Sequence, residues 1–297
     1  MDFTVHRGKA MTVHLGKAMA NQTTVSPAPT GPAALLADIR PLKAALNPFV
    51  VMLSFLGEIL ILLWQAIKAM RGGVNARDLL EQMASLGVNS VSIALLTTTT
   101  SGAVLALYFA PFLKQYGAEG FTGAVVALAI ARELAPVLTG VVVAARAGSA
   151  IAAELGTMKV TEQIDALRAL AVSPIQYLVV PRILAAVIMV PLVCALADAG
   201  GIYGGYLLSK SEGVLPTTYL NSMKQFIDPS DFVKGILKTL VFGLIIALVG
   251  CHQGLATRGG ATEVGRATTN AVVLSIVLIY LANFILTYFM FTQTVTF

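Results

Sequence analysis

The sequence predicts an all-α integral membrane protein: five transmembrane helices preceded by an N-terminal interfacial helix, with a further short helix between the second and third spans. Three observations carry this prediction. Hydrophobic residues make up 57% of the chain and charged residues 12%, with a mean hydropathy of +0.81; soluble domains carry roughly 25% charged residues. The apolar residues fall into runs close to the roughly 20 residues that cross a hydrocarbon core. These runs lack the strict polarity alternation of membrane strands.

The elements follow in order. Residues 1–40 are polar and contain an echo, Val5-His6-Arg7-Gly8-Lys9-Ala10-Met11 and Val13-His14-Leu15-Gly16-Lys17-Ala18-Met19. They read as a disordered cytoplasmic tail; no apolar core follows the early basic residues, as a signal peptide would require. Residues 41–297 form the membrane domain. The stretch Pro48 to Met70 is apolar but holds Glu58 and has basic residues on both sides: Arg40 and Lys43 before it, Lys68, Arg71 and Arg77 after it. Basic residues favour the cytoplasmic side, so this pattern argues for a helix in the interface, with a true span as the alternative. Five better candidates for spanning follow, at about Val88 to Ala110, Phe121 to Ala147, Tyr177 to Leu208, Phe232 to Cys251 and Thr268 to Phe291. The third is long enough to tilt or break.

Basic residues then assign the sides. Lys159 and Arg168 lie in the connection at 148–176, with Arg146 and Arg182 at its edges, and Arg258 and Arg266 lie at 254–267. Both connections read as cytoplasmic. The connection at 111–120 has only Lys114, and the C-terminal residues have no basic side chain. The N-terminus is therefore expected in the cytoplasm and the C-terminus outside. The net charge of +5 is spread along these edges and forms no basic patch interleaved with aromatics, which excludes nucleic-acid binding. Cys194 and Cys251 lie in apolar runs without CxxC spacing or clustered histidines, so they read as packing residues and no metal site is expected.

The connection after the second span is the most informative. Val160, Ile164, Leu167 and Ala171 recur at helical spacing as an apolar stripe. Lys159, Glu162, Asp165 and Arg168 follow at threes, so Lys159 with Glu162 and Asp165 with Arg168 are positioned to pair. Pro174 ends the pattern. A short charged helix from Glu154 to about Leu170 is expected, suited to docking a soluble partner or to lying on the membrane surface.

Several polar residues lie inside the runs. Arg132 and Glu133 each cost about 2.5 to 3.5 kcal/mol near the middle of a span, so they face protein or a water-filled cavity. They are either part of a substrate path or an internal ion-paired anchor. Pro136, just beyond them, removes a backbone donor. Asp198 and Glu58 pose the same choice between a structural hydrogen bond and substrate contact. Thr97, Thr98, Thr99, Thr100 and Ser101 can bond back one turn, and Thr98 is a candidate for lining a path. Gly200 with Gly204, and Gly201 with Gly205, allow close helix approach, within the chain or between two chains.

The segment Glu154-Leu155-Gly156-Thr157-Met158-Lys159-Val160-Thr161-Glu162-Gln163-Ile164-Asp165 is one of several ordered motifs. The others are Arg132-Glu133-Leu134-Ala135-Pro136, Arg146-Ala147-Gly148-Ser149-Ala150, Val180-Pro181-Arg182, Gly200-Gly201-Ile202-Tyr203-Gly204-Gly205 and Gly265-Arg266-Ala267-Thr268-Thr269. Together, from about Pro41 to the C-terminus, they resemble the MlaE/YrbE-type permease family of bacterial lipid-transporting ABC systems. The resemblance implies five spans after an interfacial helix, a homodimer in the inner membrane, a separate cytoplasmic ATPase subunit that holds ATP and Mg, a periplasmic MCE-domain partner, and a lipid cargo with phospholipid as the default. It makes the segment from Glu154 to about Leu170 the ATPase-coupling helix. Glu154, Gly156, Thr157, Thr161, Glu162 and Asp165 match the motif there, and Lys159 and Arg168 complete its charged face. The chain departs from the pattern at Asn283, where relatives often carry aspartate.

No G-x-x-x-x-G-K-[ST] loop occurs, since Gly8-Lys9 and Gly16-Lys17 lack the earlier glycine and are followed by alanine. No cofactor is expected on this chain, and no catalysis. Two rivals remain: an intramembrane serine protease built on Ser149 and His252, and an ATP-independent secondary transporter using Arg132, Glu133 and Asp198 as a relay. The second would favour an internal repeat of spans, and none is evident.

Overall fold

The computed structural model describes residues 48–291 of the chain, with the side chains of Pro48, Phe49 and Val51 excepted. The expected tail at 1–40 lies outside the described residues. The chain divides into two units, up to Phe55 and from Leu56 onward. The described part of the first is the opening of helix α1 (Pro48–Met70), and everything below concerns the second.

All regular structure among the described residues is helical. After α1 come α2 (Ala76–Gln115), α3 (Glu119–Val160), α4 (Gln163–Ala169), α5 (Ile175–Ser211), α6 (Pro216–Phe226), α7 (Pro229–Leu255) and α8 (Ala261–Phe291). Their boundaries have local causes. Asn75 caps α2, its side chain accepting from the Arg77 N–H at 3.1 Å. Gly213, at φ +88°, turns the chain after α5. Asp228 and Asp231 form a capping box at the start of α7, next to Pro229 in the first turn.

By length and composition, six helices can cross a membrane: α1, α2, α3, α5, α7 and α8. The expectation of five rests on the basic flanks and Glu58, which set α1 apart. In the fold, Glu58 Oε2 lies 2.9 Å from His252 Nε2 of α7, which gives the mid-helix acid a partner. Each of the other five long helices extends beyond its apolar run at one end or both.

α5 is the central helix. In its most apolar stretch 61% of residues are buried, against 11% in α8. It packs along α2 and α7. Apolar side chains gain nothing by leaving lipid for one another, so close backbone approach decides how membrane helices associate. Gly204 supplies it on α5, where an added Cβ would run into the Thr99 carbonyl of α2. Gly201 abuts Thr98 of the same helix, and Thr98 is fully buried with its hydroxyl donating to the Ala94 carbonyl at 2.8 Å. Gly235 plays the corresponding part on α7, against the Ala131 carbonyl of α3.

The segment expected as one helix from Glu154 to Leu170 is interrupted. α3 ends at Val160, Glu162 adopts the left-handed conformation (φ 61°), and α4 restarts at Gln163. The reversal removes the helical register between Lys159 and Glu162. Lys159 Nζ instead meets Asp165 Oδ2 at 2.9 Å, and Arg168 Nη1 meets Asp165 Oδ1 at 2.9 Å. Ala171, also left-handed (φ 59°), leaves the apolar stripe and is exposed, while Ile164 alone of α4 is buried.

Gly204→Val is expected to lower the thermal unfolding midpoint in detergent, at a cost of about 1–3 kcal/mol from overpacking. Gly265→Ala, where nothing stands within 4 Å of the added methyl, leaves the midpoint unchanged or raises it.

Candidate functional site

Two polar groups stand out against the apolar bundle. The first lies inside it, where α3, α7 and α8 meet. α3 passes through a π turn at Ile130–Leu134, immediately before Pro136. Proline has no N–H to offer the carbonyl of Arg132, one turn earlier. Lys238 of α7 takes that role, donating from Nζ to the Arg132 oxygen at 2.8 Å. The same ammonium reaches Glu133 Oε1 at 2.8 Å, Thr287 Oγ1 at 2.7 Å and Asn283 Oδ1 at 3.2 Å. The side chain of Lys238 is 0% exposed. Glu133 is further held by Asn283 Nδ2 at 2.8 Å and by the Thr287 hydroxyl at 2.8 Å.

Arg132 turns the other way. Its Nη2 lies 2.8 Å from Asp231 Oδ1, while Asp231 Oδ2 accepts the Asp228 N–H that caps α7 at 3.3 Å. The start of α7 is thereby tied to α3. Phe291 closes the group, with the cationic ends of Arg132, Lys238 and Lys234 at 4.9, 5.0 and 5.4 Å from its ring centroid. Arg132 and Lys238 thus each meet a carboxylate, while Lys234 meets the ring. The group is half open: Arg132 is 38% exposed and Glu133 40%. Asn283 bridges Glu133 and Lys238 with an amide, where an aspartate would add a third carboxylate facing Glu133.

Of the other residues singled out in the sequence, Asp198 is buried apart from this group, with Cys194 Sγ at 3.9 Å from Oδ2. Its Oδ1 has no hydrogen-bond partner among the described residues. Thr98 is packed under Gly201 and reaches neither group. Gly200, Gly201 and Gly204 face α2, and Gly205 lies between Val126 and Tyr219. Ser149 donates back along its own helix to Ala145 O at 2.6 Å, and His252 Nε2 is turned to Glu58, so the pair proposed for a protease is not assembled. Sequence reasoning missed Lys238, Asp231 and Thr287. Lys238 was legible, because a lysine within an apolar run is itself a signal.

The second polar group is the connection from α3 to α5. Lys159 at the end of α3 joins Asp165 and Arg168 of α4 in a surface cluster, with Glu162 and Leu170 exposed beside it. The hydrogen bond from Lys159, with Arg168 beside it, holds the Asp165 carboxyl below its usual range. Glu162 and Ala171 bracket α4 in left-handed conformations that cost non-glycine residues of order 1–3 kcal/mol each, and such strain clusters at functional segments. Gly156 is buried and Thr157 bonds the Ala153 carbonyl at 2.8 Å, while Thr161 bonds the Thr157 carbonyl at 2.8 Å. Glu154 is exposed, and its carboxylate meets the buried Arg182 of α5 at 2.8 Å.

The half-open ionic group and the charged, strained connection thus both belong to a bundle of long apolar helices. Residues 79–289 match the family described as Permease MlaE. The chain belongs to the MlaE permease family. A probable ABC transporter permease protein of Synechocystis sp. is 47% identical over 226 residues, covering 76% of this chain and 86% of its own length. A protein of the same description from Rickettsia prowazekii is 43% identical over 210 residues, covering 70% and 81%. The chloroplastic protein TRIGALACTOSYLDIACYLGLYCEROL 1 of Arabidopsis thaliana is 39% identical over 226 residues, covering 76% and 65%. This MlaE-family chain is thus a multi-pass membrane protein of the ABC transporter permease type.

Lys238→Met is expected to destabilise the fold by about 1–3 kcal/mol, since the Arg132 carbonyl loses its side-chain donor and Glu133 keeps only Asn283 and Thr287. Lys234→Met, which loses only the contact with Phe291, costs less than about 1 kcal/mol. Thermal unfolding in detergent separates the two. A second expectation concerns pH. Because the Asp165 carboxyl is depressed in the fold, its contribution is present above the unfolded value of about 3.9 and is lost as pH falls through the lower folded value. Amide exchange in α4, corrected for intrinsic rates, accelerates over that window, and Asp165→Asn abolishes the change.

Proposed function

We propose that this chain is the membrane subunit of an ABC transporter that moves lipid, with phospholipid as the substrate class, between a bacterial inner membrane and an MCE-domain carrier. A separate ATPase subunit supplies the energy and binds ATP and Mg. Membership of the MlaE permease family carries this reading, and the lipid contained in the name of the Arabidopsis relative supports the cargo. The chain works as a homodimer, with its N-terminus in the cytoplasm, its C-terminus in the periplasm, and α1 in the interface ahead of five spans.

Each polar group has a part in this reading. α4 presents Glu162, Arg168 and Leu170 to the ATPase, and its strained ends let it move as a unit. The half-open Arg132 and Glu133 face the lipid path, where fixed charges in a low-dielectric setting greet a polar headgroup. ATP binding and hydrolysis shift α4, the spans rock, and a lipid-sized space opens and closes between the two copies.

The test uses the chain reconstituted in vesicles with its ATPase and labelled phospholipid. Lipid movement is expected with ATP and not with a non-hydrolysable analogue. Equal movement with both overturns the energy-coupled reading in favour of an ATP-independent transporter. Glu162→Lys combined with Leu170→Glu is expected to release the ATPase in a pull-down while leaving the unfolding midpoint unchanged.

A further inference from the structure

The final turns of α3 pack asymmetrically. Ile151, Ala152, Leu155 and Gly156 are buried, and this stretch makes its close backbone approaches to α7 and α8 rather than to α5. On α7, Gly254 receives Leu155, and Gly250 lies against Ile151. Toward α5 one strong contact spans the gap: Glu154 Oε2 to Arg182 Nη2, at 2.8 Å. Arg182 is 4% exposed and its other terminal nitrogen, Nη1, donates to the Leu178 carbonyl at 2.7 Å. The guanidinium is therefore fixed to the backbone of α5, and it grips a carboxylate located two turns before the hinge at Glu162. The planar guanidinium, buried and anchored twice, presents a fixed fork to a carboxylate that is itself 55% exposed, so the pair joins the two helices by direction rather than by burial.

Resting on the proposed function, we infer that the Glu154–Arg182 ion pair is the link that carries displacement of the α4 end of α3 into α5, so that both residues act as positioning residues for transport. Glu154 is then not an ATPase-docking residue, although it lies in the segment that the family resemblance assigns to coupling. α5 is a suitable receiver. It is the most buried helix, and its glycine-bearing face meets α2 along Thr98 and Thr99, so a small shift at Arg182 is delivered to the middle of the bundle.

The test measures lipid moved per ATP hydrolysed by the reconstituted complex, together with ATPase copurification and the unfolding midpoint. Glu154→Gln keeps the side-chain shape and leaves Arg182 its bond to Leu178. The expected result is a ratio lowered about tenfold, with the ATPase still bound and the midpoint close to wild type. Glu154→Asp, which retains the charge one methylene short, is expected to fall between. A wild-type ratio in Glu154→Gln overturns the link. Loss of the ATPase from that variant also overturns it and returns Glu154 to docking. Ratios that fall only in proportion to the midpoint reduce the pair to a structural contact. If the wild-type complex itself shows no ATP-dependent movement, it is the permease reading that fails, whatever Glu154 does.

Discussion

The ammonium of Lys238 is the constraint around which the bundle is arranged. A wholly buried cation must be surrounded by acceptors, because the apolar medium offers neither water nor counter-ions. The four oxygens that surround it come from α3 and α8, while the lysine itself belongs to α7. Three helices are thereby held at one level and in one rotation. The remaining polar contacts follow: Glu133 is steered so that Asn283 and Thr287 reach it, Arg132 is turned to Asp231, and Asp231 fixes the first turn of α7. Apolar packing alone would leave these helices free to rotate, since lipid is as good a neighbour as leucine.

Much of this arrangement was legible in the sequence. Run length and the missing alternation pointed to the helices, and the cost of Arg132 and Glu133 in a span required partners. The glycine spacing on α5 announced a close approach. What could not be read was the identity of each partner, which depends on how helices 45 to 154 residues apart are rotated against one another. The interruption before α4 was also hidden. Glu162 and Ala171 are residues that ordinarily continue a helix, and nothing in their chemistry signals a left-handed backbone. The pairing of Lys159 with Asp165 follows only once that reversal is known. The partner of Glu58 was hidden for a related reason: His252, which meets it, lies far along the chain.

The two polar groups divide the labour between stiffness and compliance. The ionic cluster ties α3, α7 and α8 with several short bonds at one point. The α3–α5 connection is held by surface pairs and two strained hinges, so it is the softer end of the bundle. Glycine-faced contacts of α5 with α2 lie between these extremes. They allow close approach without interlocking side chains.

The bond from Lys238 to the carbonyl that Pro136 leaves unpaired also constrains how this chain changes over generations. With the proline in place, removing the lysine deprives a backbone oxygen of its side-chain donor, while the carboxylate keeps Asn283 and Thr287. Once a residue with an N–H stands at position 136, the backbone can satisfy that oxygen itself, and loss of the lysine does less harm. The two positions are therefore open to exchange in one order and closed in the other, so the route between related sequences is directional even where their end states are equally stable.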